Sequence, residues 1–135
     1  RRVDQMTGIT EQTNDILREI NLIDEAHLLA STLSYGKQRS LELGMALATD
    51  PDLLMFDEPS AGMSRDETHA AVSLIRKLTE GKTMVIVEHD MDVVFSLADR
   101  VTVLHHGEII ATGSPESIKS NPEVKRAYLG EDTEE

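Results

Sequence analysis

A chain of 135 residues with 39% hydrophobic residues has the length and apolar content of one ordinary globular domain. Its formal net charge of −12 argues against general binding to nucleic acid or anionic lipid. The absence of cysteine excludes disulfides and thiolate metal sites. No apolar run approaches the ~20 residues that span a bilayer, and no secretory signal is visible. The chain starts at Arg1 rather than Met, from which we expect a piece of something longer, and Glu131–Glu135 read as a solvated, frayed tail.

Residues 1–12 carry no usable periodicity. From about Thr13 to Ile20, Ile16, Leu17 and Ile20 have helical spacing, and a short helix is expected from Asp24, as N-cap, to Ala30. Ser34 in LSYGKQ (Leu33–Gln38) is a good N-cap for a helix through about Ala48. Its faces would be Leu41, Met45 and Ala48, with Leu43 and Leu47 adjoining. A helix start with a hydroxyl and Gly36 suits an anion, because its first amides are unpaired and the dipole is positive there. An S-x-G start is also, and more often, only a cap.

Leu53–Phe56 form an unbroken apolar run after Asp50-Pro51, which predicts a strand buried on both faces. The run ends on Asp57, Glu58 and Pro59. Such a carboxylate pair at the carboxyl edge of a parallel sheet can hold a hard cation and orient a water. It can equally be a pair of turn caps. Ser64 and Glu67 make an S-x-x-E capping box for a helix that turns Ala71, Leu74, Ile75 and Leu78 inward and stops at Gly81. Thr83–Val87 predict a second buried strand, and strand–helix–strand implies a parallel pair. His89 then falls at the same edge as Asp57 and Glu58, while Asp90 caps a helix burying Met91, Val94, Phe95 and Ala98.

Val101–His105 and Glu108–Thr112 flank His106-Gly107, a hairpin signal. Ser114-Pro115-Glu116 and Asn121-Pro122-Glu123 are capped helix starts with Pro at the first position. The last helix sets Val124, Ala127 and Tyr128 on one side and ends at Gly130. His105 and His106 are neighbours in sequence and so point to opposite faces of a strand, which denies them a shared metal ion. His27 and His69 lie in polar helical surroundings, as surface residues.

LSYGKQ opening a helix, then LLMFDEP, then VIVEHD, in this order and at these separations, resemble the second half of an ABC-type ATP-binding domain. On that resemblance Leu33, Ser34, Tyr35, Gly36, Lys37 and Gln38 form the signature motif, Leu53–Glu58 the Walker B strand, Ser60, Ala61, Gly62 and Met63 the D-loop, and His89 the switch histidine. The texture of DEPSAGM, EHDMDVV, GEIIATGSPESI and NPEVKRAYLG is similar to the ATP-binding subunits of branched-chain amino acid importers, with urea importers close. Tyr35 stands where many of the family have glycine. Met63 stands where many have aspartate, so no role for a D-loop acid carries over.

The implied fold is α/β: the C-terminal part of a RecA-like P-loop NTPase core with a parallel sheet, part of an α-helical subdomain, and a C-terminal β-hairpin plus helices. Residues 1–48 would be helical subdomain and signature helix, 49–113 core with hairpin, and 114–135 C-terminal helices and tail. The resemblance implies ATP and Mg²⁺ as cofactors: Asp57 binding Mg²⁺ through a water, Glu58 as general base, His89 on the γ-phosphate, and Ser34 and Gly36 acting in trans on ATP held by a second such subunit. It also implies an integral membrane permease, a substrate-binding protein acting indirectly, no nucleic acid, and a peripheral place on the cytoplasmic face of the membrane.

No G-x-x-x-x-G-K-[ST] phosphate loop occurs in the chain. We therefore expect no hydrolysis by this chain alone. Without the strand that bears that loop, a gap is expected between the strand ending at Val87 and the one beginning near Arg100, with a disturbed sheet or self-association as the result. Two other readings stand beside the transport ATPase: a non-transport ABC ATPase, and a non-catalytic interaction fragment whose acids are structural.

Overall fold

The structure, a computed structural model, describes residues 2–129, with side chains from Gly8 to Tyr128. The acidic tail and Gly130 lie outside the described residues. The chain divides into two compact units, Arg1–Val93 and Val94–Glu135.

The first unit begins with α1 (Arg2–Glu19), a longer helix than the one expected from Thr13. Its packing signal is confined to its end, where Ile20 is 2% exposed. Upstream residues 8–13 are exposed, and the helix continues through them because propagation from a formed turn costs little per residue. Asn21 closes it in the left-handed region, φ 58°. The Leu22 amide donates to Leu17 O and the Asn21 amide to Arg18 O, the paired bonds of a Schellman motif.

The helix expected over Asp24–Ala30 is instead two 3₁₀ turns, Ile23–Glu25 and Ala30–Thr32, and Asp24 lies inside the first rather than capping it. Leu28 and Leu29 are exposed, so no packed apolar stripe holds a full helix there. α2 (Tyr35–Leu47) starts at the expected place with Ser34 as N-cap, although the Ser34 hydroxyl makes no cap bond. Its buried residues are Leu43 and Gly44. Met45 is 66% exposed, so the face assigned to Leu41, Met45 and Ala48 is corrected. α1 packs on α2 at Gly44, where an added Cβ would meet Ile20 Cδ1 at 2.7 Å.

β1 (Leu53–Asp57) and β2 (Thr83–Val87) pair in parallel, Leu54 opposite Met84 and Asp57 opposite Val87. α3 (Arg65–Leu78) connects them. Its capping box is formed: the Glu67 amide donates to Ser64 Oγ at 3.3 Å and the Ser64 amide to Glu67 Oε2 at 2.9 Å. Gly81, φ 74°, turns the chain into β2. Burial on both faces of the strands is not found. Leu54 is buried, while Leu53, Met55, Val85 and Val87 are exposed. Side chains alternate along the strands, so one face of this pair is covered and the other is open among the described residues. α4 (Met91–Leu97) follows, with Asp90 Oδ1 accepting from the Asp92 and Val93 amides as expected. Its buried residues are Val93 and Val94.

In the second unit, β3 (Val101–His105) and β4 (Glu108–Gly113) form the expected antiparallel hairpin. His106 and Gly107, φ 50° and 82°, make the tight turn, as the two-residue type I′ connection demands. Having left the strand, the His106 ring meets that of His105 at 4.1 Å between centroids, where opposite orientations were expected. The register shifts at Val103/Leu104, which pair with Ala111 and Ile109. α5 (Pro115–Ser120) and α6 (Pro122–Val124) are capped by Ser114 and Asn121 as predicted. They bury Ile118 and Val124 with Val101 and Val103. A π-helical turn, Lys125–Leu129, ends the described chain, and the Tyr128 hydroxyl, on an exposed ring, donates to Leu104 O.

Among the described residues each ladder has two strands, so β2 pairs only with β1 and β3 only with β4. No described helix is long and apolar enough to cross a membrane.

Candidate functional site

Parallel pairing of Asp57 with Val87 brings the residues that follow each strand to one edge. The Glu58 amide donates to Val87 O at 2.8 Å, and Glu58 itself takes φ 45°. That turn carries its side chain to His89, whose Nδ1 lies 3.5 Å from Glu58 Oε1. Both side chains remain more than half exposed, 52% and 69%. Asp57 is exposed beside them. The edge therefore offers two carboxylates and an imidazole to solvent, with the imidazole and one carboxylate in ion-pair range.

The loop after Glu58 is built from two tight turns, Ala61 amide to Glu58 O and Met63 amide to Ser60 O. Two side chains hold it from outside. From the β2 end, Glu88 Oε1 accepts from the Ser60 amide at 2.9 Å and from the Ser60 hydroxyl. Its Oε2 accepts from the His89 and Asp90 amides at 3.1 and 3.4 Å. The Glu88 side chain has no exposed surface. From the α2 end, the Tyr35 hydroxyl donates to Ala61 O at 2.8 Å and accepts from Arg39 Nε at 3.2 Å. The Arg39 guanidinium also stands 5.4 Å from the Tyr35 ring centroid. Its hydrogen bond to Glu42, followed by that to Tyr35, raises its pKa. Gly62, φ 77°, fits closely against this ring, since a Cβ there would lie 3.4 Å from Tyr35 Cε1.

The other residues of Leu33–Gln38 are engaged locally. Lys37 pairs with Glu25, and the hydrogen bond from Lys37 holds the Glu25 carboxyl below its ordinary value. Gln38 Nε2 donates to Ala30 O and Leu33 O at 3.2 Å, tying the preceding 3₁₀ turn to the helix. A Cβ on Gly36 would lie 3.0 Å from Glu67 Oε1. The Glu67 carboxyl is held low by the Ser64 amide first, then the Ser64 hydroxyl, with the Gly36 amide adding to it.

Leu33–Gln38 are thus joined through Tyr35 to Ser60–Met63, and those to His89 through Glu88. Sequence reasoning placed Tyr35 and Ser60 in the site but missed Glu88. Its position between Val87 and His89 was visible; that its carboxylate turns inward onto a loop 28 residues away was not.

Asp57 borders a cleft of about 270 Å³ between α2, β1 and α3, walled by Leu43, Phe56, Leu74 and Ile75. Glu58 and His89 are outside it, on the open edge. No described group of three or more His, Asp or Glu gathers to cage a metal. One exposed carboxylate suits a hard cation whose other ligands are phosphate oxygens and waters, the usual state of Mg²⁺ at a nucleotide. Asp57 fits that donor set.

Two family models match this chain: ABC transporter over residues 3–61, and branched-chain amino acid ATP-binding cassette transporter over residues 108–134. The high-affinity branched-chain amino acid transport ATP-binding proteins BraF of Pseudomonas aeruginosa and LivG of Escherichia coli K12 are each 44% identical over 117 residues. The match takes 85% of this chain and 46% of either relative. The chain therefore spans about half the length of the curated relatives it matches. A crystal structure of an ABC transporter's ATP-binding cassette in its ADP conformation superposes with a TM-score of 0.80 at 31% identity, over 92% of this chain and 51% of that one.

Proposed function

Because this chain belongs to the ABC transporter ATP-binding family, we propose that it carries the hydrolytic edge of an importer ATPase that powers branched-chain amino acid uptake through a separate membrane permease. One observation carries the reading: parallel pairing of β1 and β2 sets Glu58 3.5 Å from His89, next to an exposed Asp57. Bound Mg²⁺·ATP would supply the electrophilic phosphorus and the neutralising charge. Asp57 would hold the cation through a water. Glu58 would orient and polarise the attacking water, and His89, with its Nδ1 3.5 Å from Glu58 Oε1, would face the γ-phosphate. Phosphoryl transfer asks the protein mainly for positioning and charge stabilisation, so these groups bear on rate more than on binding.

Ser34 and Gly36, at the start of α2, would close on nucleotide held by a second ATP-binding subunit, with Ser60–Met63 beside them. The domain reading follows: residues 1–48 helical subdomain, 49–113 core and hairpin, 114–135 C-terminal helices. A substrate-binding protein would act through the permease, and the subunit would sit peripherally on the cytoplasmic face of the membrane. Since no phosphate loop of the G-x-x-x-x-G-K-[ST] kind occurs in these residues, the phosphate cradle would come from sequence outside them, and this chain alone would not turn over ATP.

The test joins the chain to the amino-terminal half that its curated relatives possess and measures Mg²⁺-dependent ATPase activity. Glu58→Gln should keep ATP binding and cut turnover by roughly 100-fold or more. Turnover at the parent rate would remove Glu58 from the reaction and end this reading.

A further inference from the structure

We propose that Glu88 is a positioning residue of this edge, whose buried carboxylate locks the Ser60–Met63 loop and His89 into one arrangement; the proposal rests on the hydrolytic reading above. One carboxylate collects four donors: the Ser60 amide and hydroxyl on one oxygen, the His89 and Asp90 amides on the other. Each oxygen serves a different loop. Glu88 is therefore a clamp between the ends of two strands, where the strand ladder itself has stopped at Asp57 and Val87.

The side chain has no exposed surface. A buried carboxylate persists where hydrogen bonds replace its water, and here donors fill both oxygens. The clamp acts on the groups assigned to chemistry without touching substrate. It fixes the backbone at His89, whose ring lies 3.5 Å from Glu58, and the loop that leaves Glu58. Displacing a reacting group by about 1 Å can cost about 100-fold in rate while ground-state binding is kept.

Glutamine discriminates between clamping and mere space filling. It has the same shape, yet replaces one acceptor oxygen by a donor NH₂ that faces N–H groups. One of the two loops must then let go. Aspartate keeps both acceptors but is a methylene shorter, too short to serve both loops. Ser60→Ala removes only the hydroxyl donor.

The experiment has two arms. In the chain as it stands, amide hydrogen exchange at Ser60, His89 and Asp90 is compared between parent and Glu88→Gln; exchange at least ~10-fold faster at one loop or the other is expected, and unchanged protection at all three overturns the proposal. In the chain joined to its relatives' amino-terminal half, kcat should fall ~10–100-fold in Glu88→Gln and in Glu88→Asp, with KM for ATP within ~3-fold of the parent. Ser60→Ala should lower kcat a few-fold and add nothing to Glu88→Gln, because both act on one clamp. A kcat within twofold of the parent in Glu88→Gln, while Glu58→Gln is inactive, overturns the positioning role and leaves the hydrolytic reading intact. An active Glu58→Gln overturns the hydrolytic reading, and the positioning role with it. Should Glu88→Gln not fold, Ser60→Ala decides: parent kcat refutes, and a few-fold loss at unchanged KM supports.

Discussion

Gly44→Ala and Gly8→Ala make the same chemical change in two helices and should have opposite signs. In a helix interior Ala is favoured over Gly by about 1 kcal/mol. At Gly8 in α1 a Cβ meets nothing within 4 Å, so the substitution should stabilise by up to about 1 kcal/mol. At Gly44 the Cβ would lie 2.7 Å from Ile20 Cδ1 and 3.1 Å from Ile16 Cγ2. Ile20 is 2% exposed and has little room to swing away. Overpacking of this kind costs about 1–3 kcal/mol. With Ile20 held in place the cost falls in the upper part of that range, about 2–3 kcal/mol, which outweighs the propensity gain of about 1 kcal/mol and leaves a net loss of about 1–2 kcal/mol. The assay is urea unfolding, read as midpoints at constant m. Ile20→Val removes the clashing Cδ1 at a cost of about 1 kcal/mol. In that background Gly44→Ala should turn close to neutral, a coupling of about 1–2 kcal/mol. If Gly44→Ala stabilises as much as Gly8→Ala, α1 does not pack on α2 at this point and the helical layer is wrongly described.

Other outcomes follow from single contacts. Ser64→Ala removes the α3 cap and should cost about 1 kcal/mol in unfolding free energy. Glu67 is held below its ordinary value of 4.5 by the Ser64 amide and hydroxyl. Its stabilising contribution is therefore complete above the unfolded-state value and lost as pH falls through the lower folded value. The difference in Tm between parent and Glu67→Gln should be full at neutral pH and close on acidification below about pH 4.5; a difference that widens in acid would refute the assignment. Tyr35→Phe loses the bonds to Ala61 O and from Arg39, and on a 44% exposed ring this should cost about 1 kcal/mol in the same unfolding assay. Val124→Ala, at a side chain with 0% exposure, should cost about 2–3 kcal/mol, visible as faster exchange in β3 and β4.

Features set by a few consecutive residues were legible in the chain. The capping box at Ser64 and Glu67, the Pro-started helices after Ser114 and Asn121, and the His106-Gly107 turn depend on bonds and dihedrals spanning two to four positions, and each is found where it was expected. The parallel pairing of Leu53–Asp57 with Thr83–Val87 was legible for a similar reason, since an apolar strand, a capped helix and a second apolar strand leave one economical way to fold back.

Burial was not legible in the same way. An apolar run states that a strand can be covered; it does not count the layers present, and Met55 and Val87 stand exposed on a two-stranded pair. The Met45 face failed because close approach of α1 at Gly44, rather than the helix's own periodicity, selects which side of α2 is inside. At the edge, the motifs marked Asp57, Glu58 and His89, but the connections among them are long-range. Register carries Glu88 to Ser60 across 28 residues, and α2 carries Tyr35 to Ala61 across 26. Neither partner can be chosen until the strands and helices are in place, because a side chain supplies the carboxylate or hydroxyl but the meeting of two distant backbones decides which group it reaches.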